Sequence, residues 1–277
     1  MTNIVLPSTA ITGPPTGYRP ANFTDAVRAE WTKIRTVRST LWTLLVAVVL
    51  AVGLGALISA LAANGYAQGR GNIRTSWDPT GVSMSGLTFA QLAIAVLAII
   101  FITSEYSSRA IGTSLTAVPR RSRFLAAKAV VIGGICLVFT EILSFVAFFV
   151  GQALISGHAP TANLSQPNVL RAMIGGGLYA VLLGLISLSL GAMLRNAAGA
   201  IAVIVALLFV LPVVAAALPS SIEHTVEEWW PTQAGGQVTN VIRGSHTLSP
   251  WEGFAVMCAF TAILLAGAFA AINRRDA

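Results

Sequence analysis

The sequence predicts an all-α integral membrane protein with six transmembrane helices, and three observations lead there. Of 277 residues, 55% are hydrophobic and only 10% are charged, with a mean hydropathy of +0.77. An average soluble domain carries about 25% charged residues, so most of this exterior must face lipid. Long charge-free stretches recur along the chain, and its cations cluster in the segments on one side of them. That composition excludes a soluble enzyme, a disordered scaffold and a disulfide-stapled secreted domain. The net charge of +7 is too scattered for a nucleic-acid surface, and in membrane proteins such an excess gathers in cytoplasmic loops.

Residues 1–21, rich in Pro, Ser, Thr and Gly, read as a disordered cytoplasmic tail. From Asn22 to Thr40 the residues Val27, Trp31, Ile34, Val37 and Leu41 recur at helical spacing, interrupted by Arg28, Lys33, Arg35 and Arg38. Such a helix lies in the headgroup layer before the chain enters the bilayer, with Asn22 or Thr24 as its cap. It serves either as a positive-inside anchor alone or as a contact surface.

A spanning helix needs about 20 mostly apolar residues. Residues 22–277 therefore form one six-span domain, with spans at about Leu41–Ala63, Leu87–Thr103, Ala129–Ile155, Val169–Leu194, Ala197–Leu218 and Trp251–Ile272. The second is short and borrows a turn from its flanks. Ala60-Leu61-Ala62 follow the first apolar run, but that run is longer than a secretory signal core, so it reads as a retained span. Thirteen of seventeen cations fall on one side of this topology; the others are Arg70, Arg74, Arg171 and Arg243. The asymmetry puts both termini in the cytoplasm and the chain in the cell membrane. Arg171, just inside the fourth span, can snorkel to the outer surface.

Between spans two and three runs the largest cytoplasmic loop, SEYSSRAIGTSLTAVPRRSRFLAAK. Glu105 and Arg109 are spaced to pair on a helix. Ile111, Leu115 and Val118 continue the helical spacing until Pro119 ends it, and Arg120, Arg121 and Arg123 follow. A short helix across the inner membrane face gives this loop a mechanical handle. Between spans five and six, Glu223 to Pro231 include Trp229 and Trp230 and suggest short outer helices dipping into the membrane face. The acids and His224 there do not form a metal-binding motif, and no metal site is expected.

Inside the spans polar groups are few: Gln91, Glu141, Ser144, Tyr179 and Ser187 are the candidates for a substrate pathway. Glu141 lies about twelve residues into its span, roughly 18 Å deep at 1.5 Å per residue. A carboxylate at that depth is a functional candidate by default. It can bind a cationic substrate, carry a proton, or bond a neighbouring helix while protonated. Gly176, Ala180 and Gly184 favour close helix contact, and Pro212 should kink span five. Cys136 and Cys258 sit in apolar stretches and read as buried small hydrophobes. No nucleophile elbow and no phosphate-binding G-x-x-x-x-G-K-[ST] occurs, so no catalytic residue is assigned and the chain is not expected to be an enzyme by itself.

The six spans, the basic lead-in AEWTKIRTVRSTLWTL, the loop after span two and the outer segment after span five together resemble the type-two ATP-binding-cassette permeases of the small actinobacterial kind. The likeness covers nearly everything after residue 20. Glu105, Thr113, Leu115, Pro119, Arg121 and Lys128 match the family's E…T…L…P…R…K succession, whereas Ser107-Ser108-Arg109-Ala110 departs from its usual Gly-containing form. Glu141 matches no family-wide motif.

The resemblance implies a half-transporter exporting a drug-like or lipidic, largely apolar compound. Two permease chains, forming a homodimer, would pair with two copies of a cytoplasmic ATPase that holds ATP and Mg, with Arg28, Lys33, Arg35, Glu105, Arg109, Thr113, Leu115, Pro119 and Arg121 at the contact. No cofactor is expected in this chain, and lipid is its other neighbour. Two other readings stay open: a proton-coupled secondary transporter using Glu141, and a non-transporting membrane scaffold or sensor. The topology has a direct check. In sealed cells, an impermeant thiol reagent should label cysteines placed at Ser76 or Ser245 and spare Ser122→Cys; labelling of the last would overturn the orientation.

Overall fold

The computed structural model describes residues 22–69, 76–107, 121–217, 219–244 and 247–274. Among them every regular element is helical, and six helices are long and apolar enough to cross a membrane. The proposed tail and the centre of the loop after span two lie outside the described residues.

Helix α1 (Phe23–Thr36) opens with the Asn22 amide donating to the Asp25 carboxylate at 3.0 Å. It stops where Val37 turns extended, so the single helix expected to Thr40 is broken, and Arg38–Thr40 belong to the next one. The face on the protein also differs from the expected stripe. Ala26, Glu30 and Ile34 are buried, while Trp31, Val37 and Leu41 are exposed. The apolar positions are thus divided between the bundle and the surrounding lipid.

The first span, α2 (Arg38–Ala67), contains a π-helical stretch at Val49–Leu54. After it, Asp78 accepts the amides of Thr80 and Gly81 and starts α3 (Pro79–Met84), which leads through Ser85 into α4 (Gly86–Ser107). The two together form the second span, Pro79–Tyr106, longer than the expected Leu87–Thr103. The Asp-Pro start is a local signal that hydropathy alone passes over. Span three is α5 (Arg121–Ile155), which carries Arg123 and Lys128 on the helix itself instead of in a loop. α6 (Val169–Leu194) is span four. Arg195, left-handed at φ 53°, and Asn196, whose side chain caps Gly199, make the tight turn into α7 (Ala197–Ala215). Then come α8 (Ser220–Trp229), α9 (Pro231–Gly236), a 3-10 turn at Gln237–Thr239, and α10 (Pro250–Arg274), the sixth span.

Spans two and four form the centre, each buried over 61% of its apolar window; the other four are buried over 17–33% and show lipid their outer faces. α5 packs closely on α6 because the small residues of α6 leave room: a side chain at Gly184 would meet the Cys136 sulfur at 2.7 Å. Cys136 and Cys258 are both free.

Pro212 acts on α7 in a specific way. The Leu211 amide bonds back to the Ala206 carbonyl, one residue beyond the α-helical partner. In that register the Leu207 carbonyl would need the amide of Pro212, which proline lacks. The Trp230 indole (3.0 Å) and the Thr232 hydroxyl (3.3 Å) donate to it instead. One end of α9 is thereby attached inside the bundle. At the other, the Arg171 guanidinium donates to the carbonyls of Gln237 (3.3 Å), Val238 (3.0 Å) and Asn240 (2.8 Å). Arg171 thus ties to span four the re-entrant segment, the stretch from α9 to Asn240 that folds back against the bundle.

Two spans approach closely at Gly86, where a Cβ would collide with the Ala51 carbonyl of α2. Gly86→Ala must separate two backbones, and overpacking of this kind costs roughly 1–3 kcal/mol. A lower thermal midpoint in detergent is expected for Gly86→Ala and none for Gly134→Ala, which meets nothing within 4 Å.

Candidate functional site

The charged side chains inside the fold meet at the end that carries α1. Lys128 of α5 is fully buried (0% exposed), and its ammonium lies 2.7 Å from Glu30 of α1 and 2.6 Å from Glu105 of α4. Lys33 of α1 also donates to Glu105. Two acids and two lysines balance, as burial requires, because an unmatched charge in a desolvated site is strongly destabilising. The lysine has further support from the Phe101 carbonyl at 3.3 Å and from the ring faces of Phe101 and Phe124, 4.0 and 5.0 Å from its nitrogen. One Glu105 oxygen, Oε2, is buried without a hydrogen bond.

This junction joins three elements: the lead-in helix, the last turn of span two and the first turns of span three. Its members Glu105 and Lys128 stand at the two roots of the segment 108–120. Of the residues expected there, Lys33 and Glu105 are brought together, with Glu105 1% exposed and turned inward. Arg28 and Arg35 are exposed, Arg35 with its guanidinium 5.9 Å from the Trp31 ring centre. Arg109, Thr113, Leu115 and Pro119 lie outside the described residues, as does the expected Glu105–Arg109 pair. Arg121 is the first residue of α5.

Sequence reasoning missed Glu30. Its signal was present, since Ala26, Glu30 and Ile34 are spaced by four on one helix face. Lys128 entered only as a loop cation and part of the family pattern, although apolar residues flank it in FLAAKAVV.

The expected pathway residues do not form one group. Gln91 and Tyr179 line a cavity of about 440 Å³ bounded by α3 to α7 and by the re-entrant segment from α9 to Asn240. Ser144 is fully buried behind Gly176, with its hydroxyl unpartnered. Ser187 is also fully buried and unpartnered, and is not part of the lining. Glu141 sits where α5 touches α6 beside Gly177 and does not reach the cavity.

A chain of six apolar helices, with cations concentrated at the α1 end and a polar junction where the loop is rooted, agrees with the family comparison. Residues 26–224 match the ABC-2 family transporter proteins. The chain belongs to this family. No curated protein matches it. As a member it is the membrane-spanning permease of an ABC transporter, a subunit distinct from the ATPase. The match begins at Ala26, inside α1, so the junction lies wholly within the matched region of this ABC-2 permease.

The charge balance at the junction can be tested directly. Lys128→Met leaves two buried carboxylates with only the half-exposed Lys33, and breaking a buried pair from one side costs roughly 3–5 kcal/mol. Its thermal midpoint in detergent should fall steeply. Adding Glu30→Gln should recover part of the loss by removing the acid that Lys33 does not serve; no recovery would mean that the charges are not coupled.

Proposed function

We propose that this ABC-2 permease is half of an ATP-driven exporter of a largely apolar, drug-like or lipidic compound. Two copies of the chain pair in the cell membrane with two copies of a cytoplasmic ATPase, which holds ATP and Mg. The cation asymmetry supports the orientation, with α1, the segment 108–120 and both termini on the cytoplasmic side. Family membership supports the ATPase and the second permease chain.

The observation that carries the coupling assignment is the buried junction of Glu30, Lys33, Glu105 and Lys128. A push on the lead-in helix or on the segment 108–120 arrives at ion pairs shared by spans two and three. Sliding one element alone would separate buried opposite charges, so the favoured response moves the three together. ATP-dependent closure of the ATPase pair then needs only to favour one permease state over the other to drive a cycle. Glu105 and Lys33 hold the root of the handle, and the exposed Arg28 and Arg35 supply its charged outer face, with Arg109, Thr113, Leu115, Pro119 and Arg121 completing the contact.

The ATPase that copurifies with the permease from native membranes provides the test. Arg28→Glu combined with Arg35→Glu alters only exposed side chains of α1, so permease yield and thermal midpoint should hold. Retention of the ATPase, and ATP hydrolysis by the complex, should drop severalfold because charge reversal places like charges across the contact. Unchanged retention and hydrolysis would remove α1 from the coupling surface.

A further inference from the structure

The cavity beside the re-entrant segment has a chemistry that the spans elsewhere lack. None of its lining side chains is ionisable as an acid or a base near neutral pH; Tyr179 is the nearest to one. Its apolar walls come from Met84, Leu87, Ile94, Leu208, Phe209 and Val213. Among these stand side chains able to donate and accept hydrogen bonds.

The decisive member is Thr140 of α5. It is 4% exposed, lines the cavity, and its hydroxyl has no hydrogen-bond partner. A helical threonine in an apolar setting normally donates to the carbonyl one turn earlier, as Thr103 and Thr261 do in this protein. An orphaned buried hydroxyl destabilises the fold unless a ligand or water satisfies it. Gln91 of α4 and Tyr179 of α6 line the same space from two other helices. Three polar side chains on three spans converge on a volume with no charge to balance an ion.

We propose that this cavity is a binding site for an uncharged amphipathic molecule, with an apolar body and hydroxyl, carbonyl or amide groups that meet Gln91, Thr140 and Tyr179. Its volume of about 440 Å³ lies within the roughly 300–1,000 Å³ of ordinary small-molecule sites. Thr88 on α4 and Val213 on α7 belong to the lining and are exposed at the surface of the bundle, so a ligand entering between them would come from its lipid-facing side. The opening has a structural origin. α7 packs on α4 along Ala197–Val205, and past the π-helical turn this contact gives way to the cavity. The Trp230 and Thr232 bonds to Leu207 hold the re-entrant segment as its roof. An ion would lose its hydration here and meet no charged side chain in the lining, so the site favours an uncharged ligand. Glu141, the obvious cation-binding candidate, stands outside it.

The identification of this ligand as cargo rests on the export reading; the binding itself does not. The experiment therefore uses the full chain alone in lipid nanodiscs, without ATPase. The probe is a monoacylglycerol carrying a diazirine in its acyl chain, and its counterpart is the same chain on a quaternary ammonium head. After irradiation, labelled peptides are mapped by mass spectrometry. The neutral probe should label residues of α4 and α7 around the cavity saturably, and the cationic one roughly tenfold less. Thr140→Val with Gln91→Leu, both close in shape to the originals, should reduce neutral labelling roughly tenfold. Gln91→Glu should raise labelling by the cation, a gain that misfolding would not produce. Equal labelling by both heads, label confined to the lipid-facing side of α5, or indifference to all three substitutions would each overturn the site. An intact site in a permease that fails to retain its ATPase would count against the coupling assignment and leave this one standing.

Discussion

Three buried charges and a half-exposed fourth cannot share one point unless they arrive together, and that requirement governs the end of the molecule where the helices are rooted. Lys128 has no exposure to water, and its two carboxylate partners come from α1 and α4. Each acid alone would be a buried anion, and the lysine alone a buried cation. The junction therefore fixes the lead-in helix against the bundle more stringently than apolar contact could, because Trp31, Val37 and Leu41 remain outside. It also explains why α5 begins well before its apolar run: Lys128 must be presented from a helix that is already formed.

The opposite half of the protein follows another constraint, the hydrogen bonding of backbone in an apolar medium. Pro212 removes one donor from span five, and the π-helical turn leaves the Leu207 carbonyl as the group in need. Satisfying it requires polar side chains at membrane depth, which Trp230 and Thr232 bring in on a segment that would otherwise stay in the outer loop. That segment has its own carbonyls to satisfy, and Arg171 takes three of them. Helix distortion, re-entrant segment and cavity meet around the carbonyl that the missing N–H leaves without a helical partner.

The two halves thus divide the chemistry. Charge is concentrated where a push from a partner would arrive, and the cavity is lined by uncharged side chains. A transporter for apolar compounds gains from the separation, since a strong field near the cavity would favour ions over neutral cargo. Span two, with span four the most buried of the six, carries both Glu105 of the junction and Gln91 of the cavity lining.

Fold class, span number and the division of cations were legible in the sequence because they depend on sums over many residues: hydropathy, span length and the cost of placing charge in lipid. That Pro212 would disturb span five, and that Gly176 and Gly184 would admit close packing, were legible as local chemistry; the disturbance is a π-helical turn. What local chemistry could not decide was partnership. The sequence spaces Glu105 for Arg109, which lies outside the described residues; the described partners of Glu105 come from α1 and α5, 72 residues before it and, on the other side, across the following loop. Glu30 passed for one more polar residue of a surface helix, and Glu141 stood out over Thr140 because a carboxylate at depth attracts attention that a hydroxyl does not. Which of these adjacent side chains faces the cavity depends on the rotation of α5 about its axis, and Gly177 of the neighbouring helix sets that contact. The sequence by itself determined that this chain crosses a membrane six times with most of its cations in the segments of one side. Only the tertiary structure decided which charges neutralise one another and which polar groups face an empty volume, because both depend on distances between segments far apart in the chain.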